Sequence, residues 1–117
     1  MSPKPWQERV EDILSAIAEI DTFIAGFDRD QFLADAKTLK AVVADLTIIG
    51  EAARHVPDTV AERTPEVPWA LMRGMRNQVV HGYYQVDAAI VWDTCKHDLP
   101  ALVEPLGKLL RSSLDKG

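Results

Sequence analysis

The sequence contains a single cysteine, Cys95, among 117 residues. One cysteine excludes an internal disulfide, and no CxxC or Cys/His group with zinc spacing is present. Its apolar helical neighbours mark Cys95 as a small buried hydrophobe. No run approaches the ~18 uninterrupted apolar residues of a membrane-spanning helix. The first ten residues also lack the apolar stretch of a signal peptide. These absences predict a cytoplasmic location with no membrane attachment. Positive charge is in deficit: 13 Lys+Arg against 18 Asp+Glu give a net charge of −5. Bulk charge of that sign argues against a broad grip on nucleic acid. Convincing strands, internal repeats and low-complexity linkers are absent as well. An apolar content of 47% with modest net charge excludes disorder as the main state. The chain is expected to form one domain over residues 1–117, burying roughly 65% of its unfolded surface.

What the sequence does have is helical periodicity. Trp6, Val10, Ile13, Leu14, Ile17, Ile20 and Ile24 recur at three- and four-residue spacing, with Pro5 suited to the start and Gly26 to the stop. A short helical piece is expected around Asp30–Asp35. A second stripe runs through Leu39, Val42, Val43, Leu46, Ile49, Ala53 and Val56 and ends at Pro57. Gly50, Ala52 and Ala53 favour close approach of a neighbouring helix. Asp58 is placed to cap one turn through Arg63. A further helix is expected from about Pro68 to His81, stopped by Gly82, with Leu71, Met72, Met75 and Val79 on its core face. Asp87 is a natural cap for the last helix, which should bury Ile90, Val91, Trp92, Leu99, Leu102, Val103, Leu106, Leu109 and Leu110. Pro100 and Pro105 should kink or divide it. The expected fold is an all-α antiparallel bundle of four to five helices.

One segment departs from the acidic average. From Val67 to Val86 there is no Asp or Glu, yet Arg73, Arg76 and His81 are present. Arg73, Asn77 and His81 repeat at i, i+4 and i+8, with Arg76 beside Arg73. Arg76 and His81 stand five positions apart, so their directions on a straight helix differ by roughly 140°. Either the last turn unwinds at Gly82, or two copies of the helix meet in a dimer and share a cleft. Arginine offers a planar cationic fork for phosphate oxygens, and histidine exchanges protons near neutral pH. A helix C-terminus favours the cationic imidazole. No carboxylate cluster or second histidine in this segment suggests a metal or cofactor, so the fitting reaction on RNA is attack of a ribose 2′-hydroxyl on its own phosphate. A neutral His would take that proton and Arg would stabilise the charge on phosphorus. The alternative is a helix-end His81 that bonds carbonyls, with Arg76 as a surface or ion-paired arginine. On the same terms His55 and His97 are surface residues, and Glu51 is an exposed or ion-paired acid.

Gly74-Met-Arg-Asn-Gln-Val-Val-His-Gly-Tyr83, with Val86-Asp87 and Val91-Trp92 after it, closely resembles the HepT-like branch of the HEPN superfamily. Ile48-Ile-Gly-Glu-Ala-Ala53, Val67-Pro-Trp69 and Asp98-Leu-Pro100 are similar to recurring phrases of that family. Where members often carry a charged or polar run before Ile-Ile-Gly-Glu, this chain has Val43-Ala-Asp-Leu-Thr47. The resemblance implies a HEPN-like homodimer in which two Arg-x4-His motifs face one another. It implies a metal-independent ribonuclease that cleaves cellular RNA as the toxin of a toxin–antitoxin pair. Arg76 would hold phosphate and His81 would serve as general base or acid. Asn77 would orient them; Arg73 is an additional, supporting cation whose role the resemblance does not settle. The implied partner is a minimal nucleotidyltransferase antitoxin that silences the toxin by transferring AMP to the motif tyrosine, Tyr83, with Tyr84 as a second hydroxyl. The competing reading is a non-catalytic helical protein that binds the transferase or a nucleotide on the same face.

Overall fold

A computed structural model describes residues 4–81 and 87–115; within its helices, the side chains of residues 76–81 and 113–115 lie outside that description. The described residues form seven α-helices: α1 (Trp6–Ile24), α2 (Arg29–Leu33), α3 (Ala36–Arg54), α4 (Asp58–Ala61), α5 (Trp69–His81), α6 (Ala88–Asp93) and α7 (Pro100–Asp115). Four of them are long and build the bundle. The other three are single turns or little more that join the long ones.

The boundaries follow from short-range chemistry. Pro5 precedes α1, and Gly26 adopts a φ of 81° just beyond its end, a conformation open to glycine without strain. Asp28 and Gln31 cap α2 reciprocally, at 2.8 Å and 2.9 Å. Asp35 starts α3 by accepting from the Thr38 backbone N–H at 3.0 Å, and that amide holds its carboxyl below the usual range. Asp87 caps α6 through the Ala89 N–H at 2.9 Å. The expected stop at Gly82 lies outside the described residues.

Helix α3 is the centre of the molecule, packed by α1 on one side and by α5 on the other. Val10, Ile13, Ile17 and Ile20 of α1 and Val42 and Ile49 of α3 are almost fully excluded from water. Gly50, Ala52 and Ala53 are buried within the same helix, as their small size predicts. Phe32 of α2 meets Trp92 of α6 with ring centroids 5.2 Å apart. Cys95 is buried, and loss of water pushes its thiol up to about 12, in keeping with a core hydrophobe.

Three expected core residues are on the surface. Leu71 is 62% exposed, Ile90 64% and Val103 46%. Ile90, Val91 and Trp92 are consecutive and fan across roughly 200° of helix, so all three cannot face one core. The interior keeps Val91 and Trp92. On α5 the core stripe is centred on Trp69 and Met72 instead of Leu71. The last helical region is divided, as its prolines predict, but by a π-helical turn over Thr94–Asp98, where the Leu99 N–H reaches the Thr94 carbonyl at 3.0 Å. Pro100 then opens α7, and Pro105 lies inside it without ending it. The carbonyl that loses its donor to Pro105 belongs to the exposed residue Ala101, where water can serve instead.

The corner between α3, α4 and α5 is held by side chains. Arg73 donates from Nε to the Ala53 carbonyl at 3.1 Å and from Nη2 to the Val56 carbonyl at 2.9 Å. Its Nη1 meets Asp58 Oδ1 at 3.1 Å. One guanidinium therefore closes the carboxyl end of α3, where helix carbonyls run short of donors and a cation complements the dipole. Asp58 is the first residue of α4, preceded by Pro57, and its carboxylate serves Arg73 and not the turn it was expected to cap. Four residues before Arg73, the buried Trp69 donates its indole N–H to Thr64 Oγ1 at 3.0 Å, and that hydroxyl donates to the Ala61 carbonyl at 3.3 Å. Helix α5 is thus tied twice to the corner from which it starts.

Asp45 sits on α3 with 3% of its surface exposed, across a cleft of about 220 Å³ that Asp12, Ser15, Glu19 and Ile48 also line. Its Oδ2 has no hydrogen-bond partner among the described residues. Burial and the facing Glu19 push its carboxyl up to about 6 from an ordinary 3.8. The fold therefore favours the protonated acid. Its contribution to stability is full below pH 3.8 and is lost as the pH rises through about 6.

Two outcomes are expected. Asp45→Asn, which keeps the shape and removes the charge, should be more stable than wild type by roughly 1–3 kcal/mol at pH 8 in urea denaturation. That gain should vanish near pH 4, and equal stability of the two proteins at pH 8 would contradict the burial argument. Arg73→Ala should cost about 2–3 kcal/mol, because two backbone carbonyls and Asp58 lose a charged donor. Arg73→Lys should recover only part, since one ammonium cannot match three separate acceptors. A neutral Arg73→Ala in thermal or urea unfolding would show that the fork does not form in solution.

Candidate functional site

Helix α5 carries the residues that the sequence singles out. It remains helical from Trp69 through His81, so its last turn is not unwound before His81. Regular helix geometry then separates Arg76 from His81 by about 7.5 Å along the axis and roughly 140° around it. The positions Arg73, Asn77 and His81 form a single i, i+4 row on this helix. The row continues from the side chains that tie α5 to the α3–α4 corner, Trp69 and Arg73. The side chains of Arg76, Asn77 and His81 lie outside the described residues, as do Tyr83 and Tyr84 entirely.

Arg73 is the expected site residue whose side chain is described, and the structure gives it a structural contact that the sequence left open. It faces the end of α3 instead of standing free as a supporting cation for a phosphate. The cause is local: the Ala53 and Val56 carbonyls and Asp58 each take one bond from the fork, one per nitrogen. The positive character of the Val67–Val86 stretch is correspondingly reduced, because Asp58 from outside the stretch is ion-paired with Arg73.

Beside this fork lies an open cavity of about 550 Å³, lined by Arg54, Val56, Pro57, Asp58, Arg73 and Gly74. Gly74 belongs to α5, two residues before Arg76. Arg54 is the last residue of α3 and is exposed. The sequence reading missed Arg54 as a candidate. Its signal was available: a cation that immediately follows Ile48-Ile-Gly-Glu-Ala-Ala53, at the end of a helix that stops before Pro57. The other polar candidates stand as expected. Glu51 and His55 approach to 3.5 Å on the outer surface of α3, and His97 is exposed beside the π-helical turn.

Comparison with known proteins addresses the same chain from another side. The family model described as ribonuclease HepT-like matches residues 13–109. Thermococcus cleftensis has a relative named "Probable ribonuclease HepT". It is 39% identical over 103 residues, which cover 88% of this chain and 94% of the relative. "Putative RNase MJ0125" of Methanocaldococcus jannaschii is 31% identical over 105 residues, 90% of each chain. "Putative RNase TTE0752" of Caldanaerobacter subterraneus is 30% identical over 110 residues, covering 94% of this chain and 96% of the relative. No solved structure matches. The match spans α3 and α5 in full, including the Arg76 and His81 positions, and with its all-helical fold the chain belongs to the HepT-like ribonuclease family of the HEPN type.

Proposed function

We propose that this protein is the toxin of a toxin–antitoxin pair and acts as a metal-independent ribonuclease through Arg76 and His81. The observation that carries this reading is the unbroken course of α5 through His81, joined to membership of a ribonuclease family. A straight helix aims Arg76 and His81 in different directions, which suits a cleft shared by two copies in a homodimer. In the reaction, a neutral His81 takes the proton from a ribose 2′-hydroxyl, and the 2′-oxygen bonds to the adjacent phosphorus. The bond from phosphorus to the 5′-oxygen breaks, and a protonated His81 returns a proton to that leaving oxygen. Arg76 stabilises the charge that builds on the phosphoryl oxygens, and Asn77 orients the pair. No residue between Val67 and Val86 supplies a carboxylate for a metal, and the proposed chemistry needs none.

The proposed partner is a minimal nucleotidyltransferase that adds AMP to Tyr83. Adenylate would place bulk and negative charge where the RNA phosphate must bind, which silences the cleft by exclusion and repulsion. The site of action is the cytoplasm, where cellular RNA is found. Among the described residues, no helix is long and apolar enough to cross a membrane.

Expression in cells and cleavage of RNA in vitro test the assignment together. His81→Ala and Arg76→Ala should each relieve growth arrest and lower the cleavage rate by about 100-fold or more. A double-alanine protein as toxic as wild type would contradict the assignment. RNA left intact by a protein that still binds the transferase tightly would make it a non-catalytic partner instead. After coexpression with the transferase, intact mass should rise in whole AMP increments, and Tyr83→Phe should erase them. An unchanged mass shift in that variant would move the modification to Tyr84 or elsewhere.

A further inference from the structure

We propose that the open cavity at the α3–α4–α5 corner is a subsite for a backbone phosphate of RNA flanking the scissile one, with Arg54 as its cationic ligand. This rests on the ribonuclease reading and extends it to residues outside the motif.

Position comes first. Gly74 lines the cavity, and the position of His81, seven residues later on the same helix, lies about 20° from it around the axis and roughly 10 Å further along, whereas the Arg76 position lies about 160° away. A strand whose scissile phosphate lies at His81 therefore passes a neighbouring phosphate along the same face of α5 towards this corner. Size agrees, since about 550 Å³ open to solvent admits a sugar–phosphate unit without rearrangement.

Charge comes second. The lining holds two arginines, Arg54 and Arg73, against the single carboxylate of Asp58. Arg73 is committed to the Ala53 and Val56 carbonyls and to Asp58. Arg54 is exposed and has no ion pair or hydrogen bond among the described residues. The committed arginine neutralises Asp58, and the uncommitted one presents a planar cationic fork to the cavity rim.

Gly74 supplies an independent observation. Glycine is among the poorest helix formers, yet α5 has it in its interior. The backbone there does not take the left-handed conformation that would call for glycine. Nor does packing need it, because a Cβ added at Gly74 meets nothing within 4 Å among the described residues. Among the described residues, the monomer's own fold thus gives no reason for a missing side chain on the cavity wall. Close approach of a ligand to the helix backbone does.

The test uses the full chain and a fluorescent 2′-O-methyl RNA strand, which lacks the nucleophile and so reports binding alone. Arg54→Ala should weaken binding roughly three- to tenfold. It should also make the slope of log affinity against log salt shallower by about 0.7, the loss of one phosphate contact on a single strand. Gly74→Ala should raise the thermal midpoint by a few degrees, since it relieves a helix-breaking residue, and should weaken RNA binding at the same time. That opposition of stability and affinity is not expected of a position with a purely structural role. Unchanged affinity and salt slope in Arg54→Ala would overturn the subsite and leave the ribonuclease reading standing. So would a Gly74→Ala protein whose main change is weaker self-association, which would show that a second copy of the chain fills the cavity. Wild-type protein that neither binds nor cleaves RNA would bring down the ribonuclease reading itself.

Discussion

The guanidinium of Arg73 is the constraint on which the functional half of the molecule depends. It reaches back across the corner to the Ala53 and Val56 carbonyls, at 3.1 Å and 2.9 Å, and holds Asp58 with its remaining fork. Ala53 lies in the last turn of α3, the central helix of the bundle, and Val56 just beyond its end. Helix α5 therefore has no independent orientation; its phase and axial position are fixed against α3 within its first two turns. Everything further along α5, including positions 76, 77 and 81, inherits that setting. The Trp69–Thr64 bond one turn earlier prevents rotation about the Arg73 contact. A reacting pair needs placement to a fraction of an ångström, and for the proposed pair Arg76 and His81 this anchorage would serve that end without using either residue.

The charge distribution reads differently once the corner is in place. A net charge of −5 looks unsuited to RNA, but charge at the site matters more than the total. Asp45 apart, the described acidic side chains of the other helices and their caps lie at or near the surface, whereas the segment from Val67 to Val86 has none. Asp58 removes part of the local excess by pairing with Arg73. What remains is narrow, consisting of Arg76, His81 and the uncommitted Arg54 at the edge of the same helix pair. In a dimer that brings two such segments together, this residue of positive charge doubles within one cleft. Such a surface suits a short stretch of strand bound weakly and with strong salt dependence, not a coat along a long RNA.

Much of the fold was legible in the sequence because helix limits are set by near neighbours. Gly26 and the Asp87 cap are of this kind. The Asp28–Gln31 box acts over the same short range but was not anticipated, and the piece expected around Asp30–Asp35 is α2 at Arg29–Leu33, with Asp35 capping α3 instead. The buried stripes of α1 and α3 were equally plain from their spacing. The family was legible from the run Gly74–Tyr83 and its companion phrases, and the comparisons place the chain there. What the sequence hid involves partners far apart along the chain. Arg73 and its acceptors are 15 to 20 residues apart, a spacing that no periodicity marks, so the arginine read as a free cation. Asp45 carries no mark in the sequence beyond its place in the run Val43–Thr47, and only the packing of α1 places Glu19 opposite it. Leu71, Ile90 and Val103 are apolar neighbours of core residues, and which of several adjacent apolar side chains faces inward is decided by the phase of the helix. That phase is set by contacts such as Trp69 with Thr64.

The central claim is that a helix anchored in this way presents Arg76 and His81 for attack of a ribose 2′-hydroxyl on its own phosphate, without a metal. The chemistry of the cut ends tests it most directly. Purified protein should be treated with a chelator and given a single-stranded RNA, and the termini of the products identified by mass. The account predicts undiminished cleavage that leaves a 2′,3′-cyclic phosphate on one fragment and a free 5′-hydroxyl on the other. Fragments that instead carry a 5′-phosphate and a 3′-hydroxyl, formed only when a divalent cation is restored, would contradict it.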